Sequence, residues 1–117
     1  MYNKEMEAEI KFFKNVSEAV IPEIKLTRNK DKRSGNALFT FEKPGSLSNG
    51  DLSSIKGMYM IDKEGELFTR DVNIHFSHEE SSSIQVKYKW SSTIEFERFM
   101  RFIDRYMKYM HLNRQDS

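Results

Sequence analysis

The histidines are the side chains best suited by type to hold a metal ion. His75 and His78 lie three residues apart, and Glu79 and Glu80 follow them. The pair spans the end of a predicted strand and the turn after it, so the two imidazoles are expected to diverge. The third histidine, His111, belongs to a distant predicted helix. The sequence therefore favours surface histidines and no metal site.

Serines and carboxylates are frequent, but their spacing matches no catalytic motif. The chain has no G-x-S-x-G elbow, no carboxylate pair placed to face a pocket, no Walker loop and no G-x-G-x-x-G run. Because cysteine is absent, thiol nucleophiles, disulfides, Cys-ligated zinc and iron–sulfur clusters are excluded. We therefore expect no enzymatic activity and no cofactor.

Basic residues are concentrated in one short stretch, where Arg28, Lys30, Lys32 and Arg33 accompany a single acid, Asp31. The whole chain carries 19 Lys and Arg against 18 Asp and Glu, a formal charge of +1, which does not favour nucleic-acid binding by bulk charge. The stretch is either a solvated hairpin tip or an electrostatic contact with an acidic protein loop or an anionic membrane surface.

Three aromatic residues of predicted strands, Phe39, Phe41 and Tyr59, are of the kind that stacks on bases in an RNA-binding sheet. That fold requires a helix between its first two strands, and residues 29–36 have the composition of a turn. Burial in the core is the better explanation of these rings. A small nucleic-acid-binding or ligand-binding β-sheet domain is the alternative function.

The elements that position these residues follow from hydrophobic periodicity. Alternating apolar and polar residues predict about five strands. The candidate segments are residues 9–13, 20–28, 37–43, 57–62, 67–76 and 84–90. The residues expected on buried faces are Ile24, Leu26, Ala37, Phe39, Phe41, Val72, Ile74, Phe76, Ile84, Val86, Tyr88 and Trp90.

A capping box at Ser92 and Glu95 predicts a helix over residues 93–111. The Ser92 hydroxyl would accept from the Glu95 amide, and the Glu95 carboxylate would accept from the Ser92 amide. Glu97 and Arg101 are spaced for an ion pair on the solvent face, where Arg98 and Arg105 are also expected. The stripe expected to dock on the sheet contains Phe96, Phe99, Met100, Ile103, Met107 and Met110.

The predicted fold class is α+β. A curved antiparallel sheet, mainly in meander order, would carry the C-terminal helix on one face. The chain is expected to form a single domain, residues 1–117, with loose ends at 1–8 and 112–117 and a structureless segment over 44–54. Its start resembles neither a signal nor a transit peptide, and no apolar run is long enough to span a membrane. We therefore expect either that the protein acts where it is made or that a targeting segment is missing from this sequence.

Four collinear runs resemble the Psb28 family of small soluble photosystem II assembly factors. They are VIPEIKLTR, SGNALFTFEKP, GMYMIDKEGELFTRDVN and FERFMRFIDRYMK, and together they span most of the chain. The resemblance is specific because the pattern GMYxID-x-EGE-x-x-TR occurs together with FxRFMRF, although neither pattern encodes a chemistry. The sequence departs from the family at residues 1–8, at the SHEESSS turn and at the HLNRQDS tail.

The resemblance implies a non-catalytic protein without chlorophyll or metal that associates peripherally with photosystem II during its biogenesis. The implied partner is the inner antenna protein of forty-seven kilodaltons, with neighbouring reaction-centre loops, on the cytosolic or stromal face of the thylakoid membrane. Binding is expected to be transient and the protein alone monomeric, in a cyanobacterium or as a plastid-encoded chloroplast protein. Nucleic acid is not an expected partner.

An exposed sheet edge is a row of unpaired backbone groups that an extended chain can join. The strand over residues 37–43 is the expected edge, and a tail of the antenna protein would add to the sheet near this hairpin while the basic tip steers it. The partner-binding residues predicted on this basis are Arg28, Lys30, Lys32, Arg33, Phe39, Thr40 and Phe41.

Overall fold

The computed structural model describes residues 7–48, 54–76 and 82–115. Within these ranges the chain forms eight strands and one C-terminal helix. They are β1 (Glu9–Phe13), β2 (Val16–Ser17), β3 (Glu23–Arg28), β4 (Gly35–Glu42), β5 (Met58–Asp62), β6 (Gly65–Thr69), β7 (Val72–His75), β8 (Ser83–Trp90) and α1 (Thr93–Gln115). The predicted turn residues His78, Glu79 and Glu80 lie outside the described residues.

The strands divide between two antiparallel sheets. The first sheet has the order β2-β1-β5-β6, and the second has the order β3-β4-β8-β7. The predicted α+β class, with antiparallel strands and a single C-terminal helix, is confirmed. The number of strands was underestimated because β1 and β2 form a short hairpin of their own and one predicted strand is divided in two.

The strand predicted over residues 67–76 is wrong as a single element. β6 pairs with β5 in the first sheet, whereas β7 pairs with β8 in the second. The chain bends between them at Arg70 and Asp71. Across this bend the Thr69 hydroxyl donates to the Lys87 carbonyl at 2.7 Å, and the Lys87 amide donates to the Asp71 carbonyl at 2.9 Å. The bend lets one continuous segment serve both sheets.

Two residues expected on buried faces lie at the rim instead. Leu26 is 45 % exposed because β3 is an edge strand, and Phe76 is 68 % exposed because it follows the last paired residue of β7, His75. Alternation identified the side of the sheet correctly at Leu26, but it could not show where coverage by other elements ends.

The core lies between the two sheets and under the helix. Ala37, Phe39 and Phe41 of β4 are fully buried, as predicted. Phe12 of the first sheet meets Phe41 edge-to-face, with ring centroids 5.1 Å apart. The other core side chains are Ala8, Ile10, Met58, Met60, Ile84, Val86, Trp90, Phe99, Phe102 and Tyr106.

Helix α1 begins at the predicted place with one change in its capping bonds. The Ser92 hydroxyl accepts from the Glu95 amide at 3.2 Å, but the Glu95 carboxylate accepts from the amide and hydroxyl of Ser91, at 2.6 and 2.8 Å. The helix continues to Gln115 and so includes part of the tail expected to be loose. The sequential spacing identified the cap correctly because capping depends on local geometry.

The buried row of the helix differs from the predicted stripe. Phe99, Phe102 and Tyr106 are fully buried, while the other predicted stripe residues are only partly buried. The Phe99 ring lies 5.0 Å from Tyr88 and 5.5 Å from Trp90, centroid to centroid. The helix therefore packs on the second sheet through the Phe99 ring, and it also contacts β5 of the first sheet.

The predicted structureless segment after β4 begins with a 3₁₀ turn, Gly45–Ser48. Its start is held by the carboxylate of Glu18, which is 2 % exposed. That carboxylate accepts from the amides of Val20 at 2.9 Å, Gly45 at 3.0 Å and Ser46 at 2.8 Å. This buried side chain thus joins two loops that are distant in sequence.

Candidate partner-binding surface

The predicted hairpin between β3 and β4 is confirmed, and its tip has a defined backbone. The Asn29 amide donates to the Ser34 carbonyl, and the Lys32 amide donates to the Asn29 carbonyl, both at 2.9 Å. Lys32 has a φ of 61°, a left-handed conformation that closes the turn. The tip therefore presents its side chains from a hydrogen-bonded turn.

Asp31, the single acid of the tip, is engaged by the turn itself. Its carboxylate accepts from the amides of Ser34 and Arg33, at 3.0 and 2.9 Å, and from the Ser34 hydroxyl. These hydrogen bonds, the Ser34 amide foremost, hold the pKa of Asp31 below its usual range. The carboxylate orders the turn around the neighbouring cations.

The four basic residues of the tip all belong to the β3–β4 hairpin. The Arg28 guanidinium lies 4.6 Å from the centroid of the Phe96 ring and donates to the Lys32 carbonyl at 3.2 Å. Lys30, Lys32 and Arg33 are exposed and form no ion pair with any described residue. Arg28 thus fixes the tip against the helix, while the other three cations face solvent.

Three further lysines extend this charge over the outer face of the second sheet. Leu38 of β4 pairs with Lys25 of β3 on one side and with Lys87 of β8 on the other. Asn36 of β4 pairs with Lys89 of β8. Leu38 alternates with buried residues of β4, so this row faces away from the core. We call the combined set the basic surface: Lys25, Arg28, Lys30, Lys32, Arg33, Lys87 and Lys89.

The prediction that residues 37–43 form an edge strand is wrong. Strand β4 pairs with β3 on one side and β8 on the other, so Thr40 lies between Glu23 and Gln85 in the interior of the sheet. Phe39 and Phe41 are fully buried and so serve neither as partner contacts nor as stacking platforms. The edge of this sheet at the hairpin is β3. Periodicity gives a strand's faces but not its neighbours.

A second charged group joins α1 to the turn between β5 and β6. We call it the ion-pair cluster: Asp62, Glu64, Arg98, Arg101 and Arg105. Arg98 donates two hydrogen bonds to Asp62, at 2.7 and 3.0 Å, and Arg105 donates one at 2.9 Å. Arg101 donates two to Glu64, both at 2.9 Å, and Arg105 also bonds Glu64. The pair predicted between Glu97 and Arg101 is replaced by these bonds.

The cluster keeps both carboxylates ionised. Burial raises the pKa of Asp62, but the hydrogen bonds from Arg98 and Arg105 together lower the pKa by more than burial raises it, so the net shift is downward. Hydrogen bonds from Arg101 and Arg105 lower the pKa of Glu64 to about 2. Neither group exchanges a proton near neutral pH. The arrangement is suited to fastening the helix.

The predicted metal candidates are separated. His75 on β7 and His111 on α1 are both exposed, and His78 lies outside the described residues. Within residues 7–48, 54–76 and 82–115, no three His, Cys, Asp or Glu side chains are grouped so as to hold a metal ion. In the same ranges no helix has the length and apolar character needed to cross a bilayer.

Sequence reasoning missed Lys25, Lys87 and Lys89 as members of the basic surface. The alternation of β8 does place Lys87 and Lys89 on its polar face. Their proximity to the tip depends on β4 pairing with β8, which no local signal in the chain reveals. The fold and this surface define a small α+β domain with a charged, solvent-exposed face.

The family model described as "Psb28 protein" matches residues 10–113. The protein named "Photosystem II reaction center Psb28 protein" of Prochlorococcus marinus (strain MIT 9211) is 45 % identical over 108 residues, 92 % of each chain. Proteins of the same name are 50 % identical in strain MIT 9312, over 86 % of each chain, and 46 % identical in Synechococcus sp. (strain CC9605), over 85 % of this chain and 78 % of that one. The chain belongs to the Psb28 protein family.

Proposed function

We propose that this protein is a non-catalytic photosystem II biogenesis factor. It binds transiently to assembly intermediates as a peripheral protein on the cytosolic or stromal face of the thylakoid membrane, in a cyanobacterium or a plastid. The observation that carries the proposal is the 45 % identity, over 92 % of both chains, to a protein whose name places it with the photosystem II reaction center.

The proposed partner is the inner antenna protein of forty-seven kilodaltons, together with nearby reaction-centre loops. The basic surface supports this role because Lys30, Lys32 and Arg33 are exposed and without ion-pair partners in the described ranges. Uncompensated cations attract acidic loops and anionic headgroups and raise the rate of encounter. Since Arg28 is held against Phe96, the tip is ordered before a partner arrives.

The edge of β3 is the proposed place for an added strand. Its residues are largely exposed, and within the described ranges it pairs with β4 alone. An extended tail could therefore hydrogen bond along the outer side of β3, beside the basic tip. This proposal replaces β4 with β3 as the receiving strand and leaves the steering role of the tip unchanged.

Affinity capture from solubilised thylakoids, with partners identified by mass spectrometry, tests the proposal. The tagged protein is expected to recover the antenna protein. The double variant Lys32→Glu/Arg33→Glu is expected to recover several-fold less at low salt, with the difference shrinking at high salt. The matched control is Lys43→Glu/Lys63→Glu, which reverses two exposed charges away from the basic surface.

Recovery of ribosomes or RNA in place of an antenna subunit would overturn the proposal. Hydrogen exchange on the captured complex tests the receiving strand separately. Added-strand pairing slows exchange of the outward amides of β3, whereas β7, the opposite edge of the second sheet, stays unchanged. Protection confined to β7 would move the receiving edge.

A further inference from the structure

The outer face of the first sheet carries a groove that contains no residue of the basic surface. It has a volume of about 480 Å³ and crosses β1 and β5, with Lys11, Phe13 and Tyr59 among its lining residues. It continues over β6, where Phe68 and Arg70 line an adjoining depression. The groove has the size of a site for a few side chains.

Two aromatic rings form the floor of the groove. Tyr59 and Phe68 are directly paired across β5 and β6, and their ring centroids are 4.7 Å apart. A Cβ atom at Gly57 would lie 2.5 Å from the Phe68 ring, so the ring rests directly on the backbone there. The glycine and the neighbouring tyrosine thus fix Phe68 in place, half-buried.

The alternating register explains why these residues are separate from the core. In β5, Met58, Met60 and Asp62 face inward and are buried, whereas Tyr59 and Ile61 face outward. The run GMYMIDKEGELFTRDVN, one of the four that carry the family resemblance, therefore has two sets of residues. One set builds the core and the ion-pair cluster, and the other builds the groove.

Cations surround the aromatic floor. Lys14, Lys56 and Arg70 are exposed, and none forms an ion pair with another described residue. Lys11 already lies 3.7 Å from Glu9, and the acid that lines the groove is Glu66. The lining of the groove therefore contains three exposed cations that form no ion pair with a described residue, and one acid.

We propose that this groove binds an acidic, extended peptide segment that contains one bulky apolar side chain. The apolar side chain packs on Tyr59 and Phe68, while carboxylates on either side of it meet Lys14, Lys56 and Arg70. A peptide fits better than a membrane because the rings form the floor of a concavity, whereas insertion into a bilayer needs protruding apolar side chains. The site goes beyond the proposed function, since it lies on the other sheet from the basic surface.

The probe for the test is the fluorescein-labelled peptide acetyl-Asp-Glu-Phe-Glu-Asp-amide, titrated with the full chain by fluorescence anisotropy. Binding is expected, with amide chemical-shift changes in NMR spectra concentrated in β1, β5 and β6. The double variant Lys56→Glu/Arg70→Glu is expected to weaken binding roughly tenfold, because two attractive contacts become repulsive. The same peptide with Ser in place of Phe is expected to bind more weakly than the parent.

The matched control is Lys32→Glu/Arg33→Glu, which changes the net charge equally on the other sheet and is expected to retain the peptide affinity. Three results would overturn the proposal: equal losses in both double variants, equal affinity for the Ser and Phe peptides, or no binding at millimolar concentration. Binding of anionic phosphatidylglycerol vesicles that depends on Lys56 and Arg70, without peptide binding, would assign the groove to a membrane and overturn it too. None of these results bears on capture from thylakoids through the basic surface.

Discussion

The ion-pair cluster and the basic surface use arginine in opposite ways. In the cluster, Arg98, Arg101 and Arg105 all bond to Asp62 or Glu64, so carboxylates of the same molecule balance their charge. At the tip, Asp31 bonds to turn amides, and Arg33 is left exposed. Similar side chains therefore fasten a helix in one region and remain available to a partner in the other. The role depends on whether the neighbouring carboxylate bonds the guanidinium group, as in the cluster, or the backbone amides, as at the tip.

The apolar face of α1 sets the scale against which the cluster is judged. Phe99→Ala is expected to lower the free energy of unfolding by about 3–5 kcal/mol, because a fully buried ring leaves a cavity. Urea denaturation measures the change. Phe76→Ala, which removes a ring that is 68 % exposed, is the control and should change stability by less than about 0.5 kcal/mol. Similar losses in both variants would contradict the observed helix packing.

Removing the buried acid of the cluster is expected to have the next largest effect. Asp62→Ala removes the buried carboxylate that Arg98 and Arg105 share and leaves Glu64 as their remaining acidic partner, so it should cost about 3 kcal/mol in urea denaturation. Asp104→Ala is the matched control. Its carboxylate pairs with Lys108 at the surface, and its loss should cost less than about 0.5 kcal/mol. A cost for Asp62→Ala as small as the control's would mean that the cluster does not fasten the helix.

Acid should weaken the ion-pair cluster. Asp62 and Glu64 have lowered pKa values in the folded state, and that of Glu64 is about 2. The stability that these two groups give the fold is therefore fully present above the pKa values that they have in the unfolded chain. It is then lost as the pH falls from about 5 towards 2. Urea midpoints measured across this range should fall less steeply for Glu64→Gln than for the parent. Identical pH slopes would show that Glu64 contributes no pH-dependent stability.

Charge reversal at the tip should have the smallest effect on stability. Lys32→Glu/Arg33→Glu removes no ion pair within the described ranges, so the free energy of unfolding should change by less than about 0.5 kcal/mol. Thermal unfolding at low salt checks this. A loss comparable to that of Asp62→Ala would remove the contrast between the two regions.

The hairpin tip and the helix start were predictable because their signals are local. Turn-forming residues over 29–36 and the Ser92 cap act over a few positions, and both elements occur where they were expected. The strand alternation of Phe39 and Phe41 likewise identified core residues. Short-range chemistry therefore sufficed for these features.

The division into two sheets and the ion-pair cluster were not predictable, because both depend on distant partners. Arg98 and Arg105 occupy helix positions that appear polar and solvent-facing, yet they bond to Asp62, 36 and 43 residues away. The bend at Arg70 has no proline or glycine to mark it. The same gap in long-range information led to β4 being expected at an edge.

The central position of β4 has a consequence for synthesis of the chain. Its carboxyl-terminal neighbour β8 pairs Glu42 with Ser83, so about 40 further residues must be translated before that side of β4 is covered. At ribosomal speeds this takes roughly 2–8 s. The Phe39 ring also meets Phe99 of α1, so we expect it to lack that part of its cover throughout the interval. We expect the cations of the tip to make nascent copies repel one another while that ring lacks its cover.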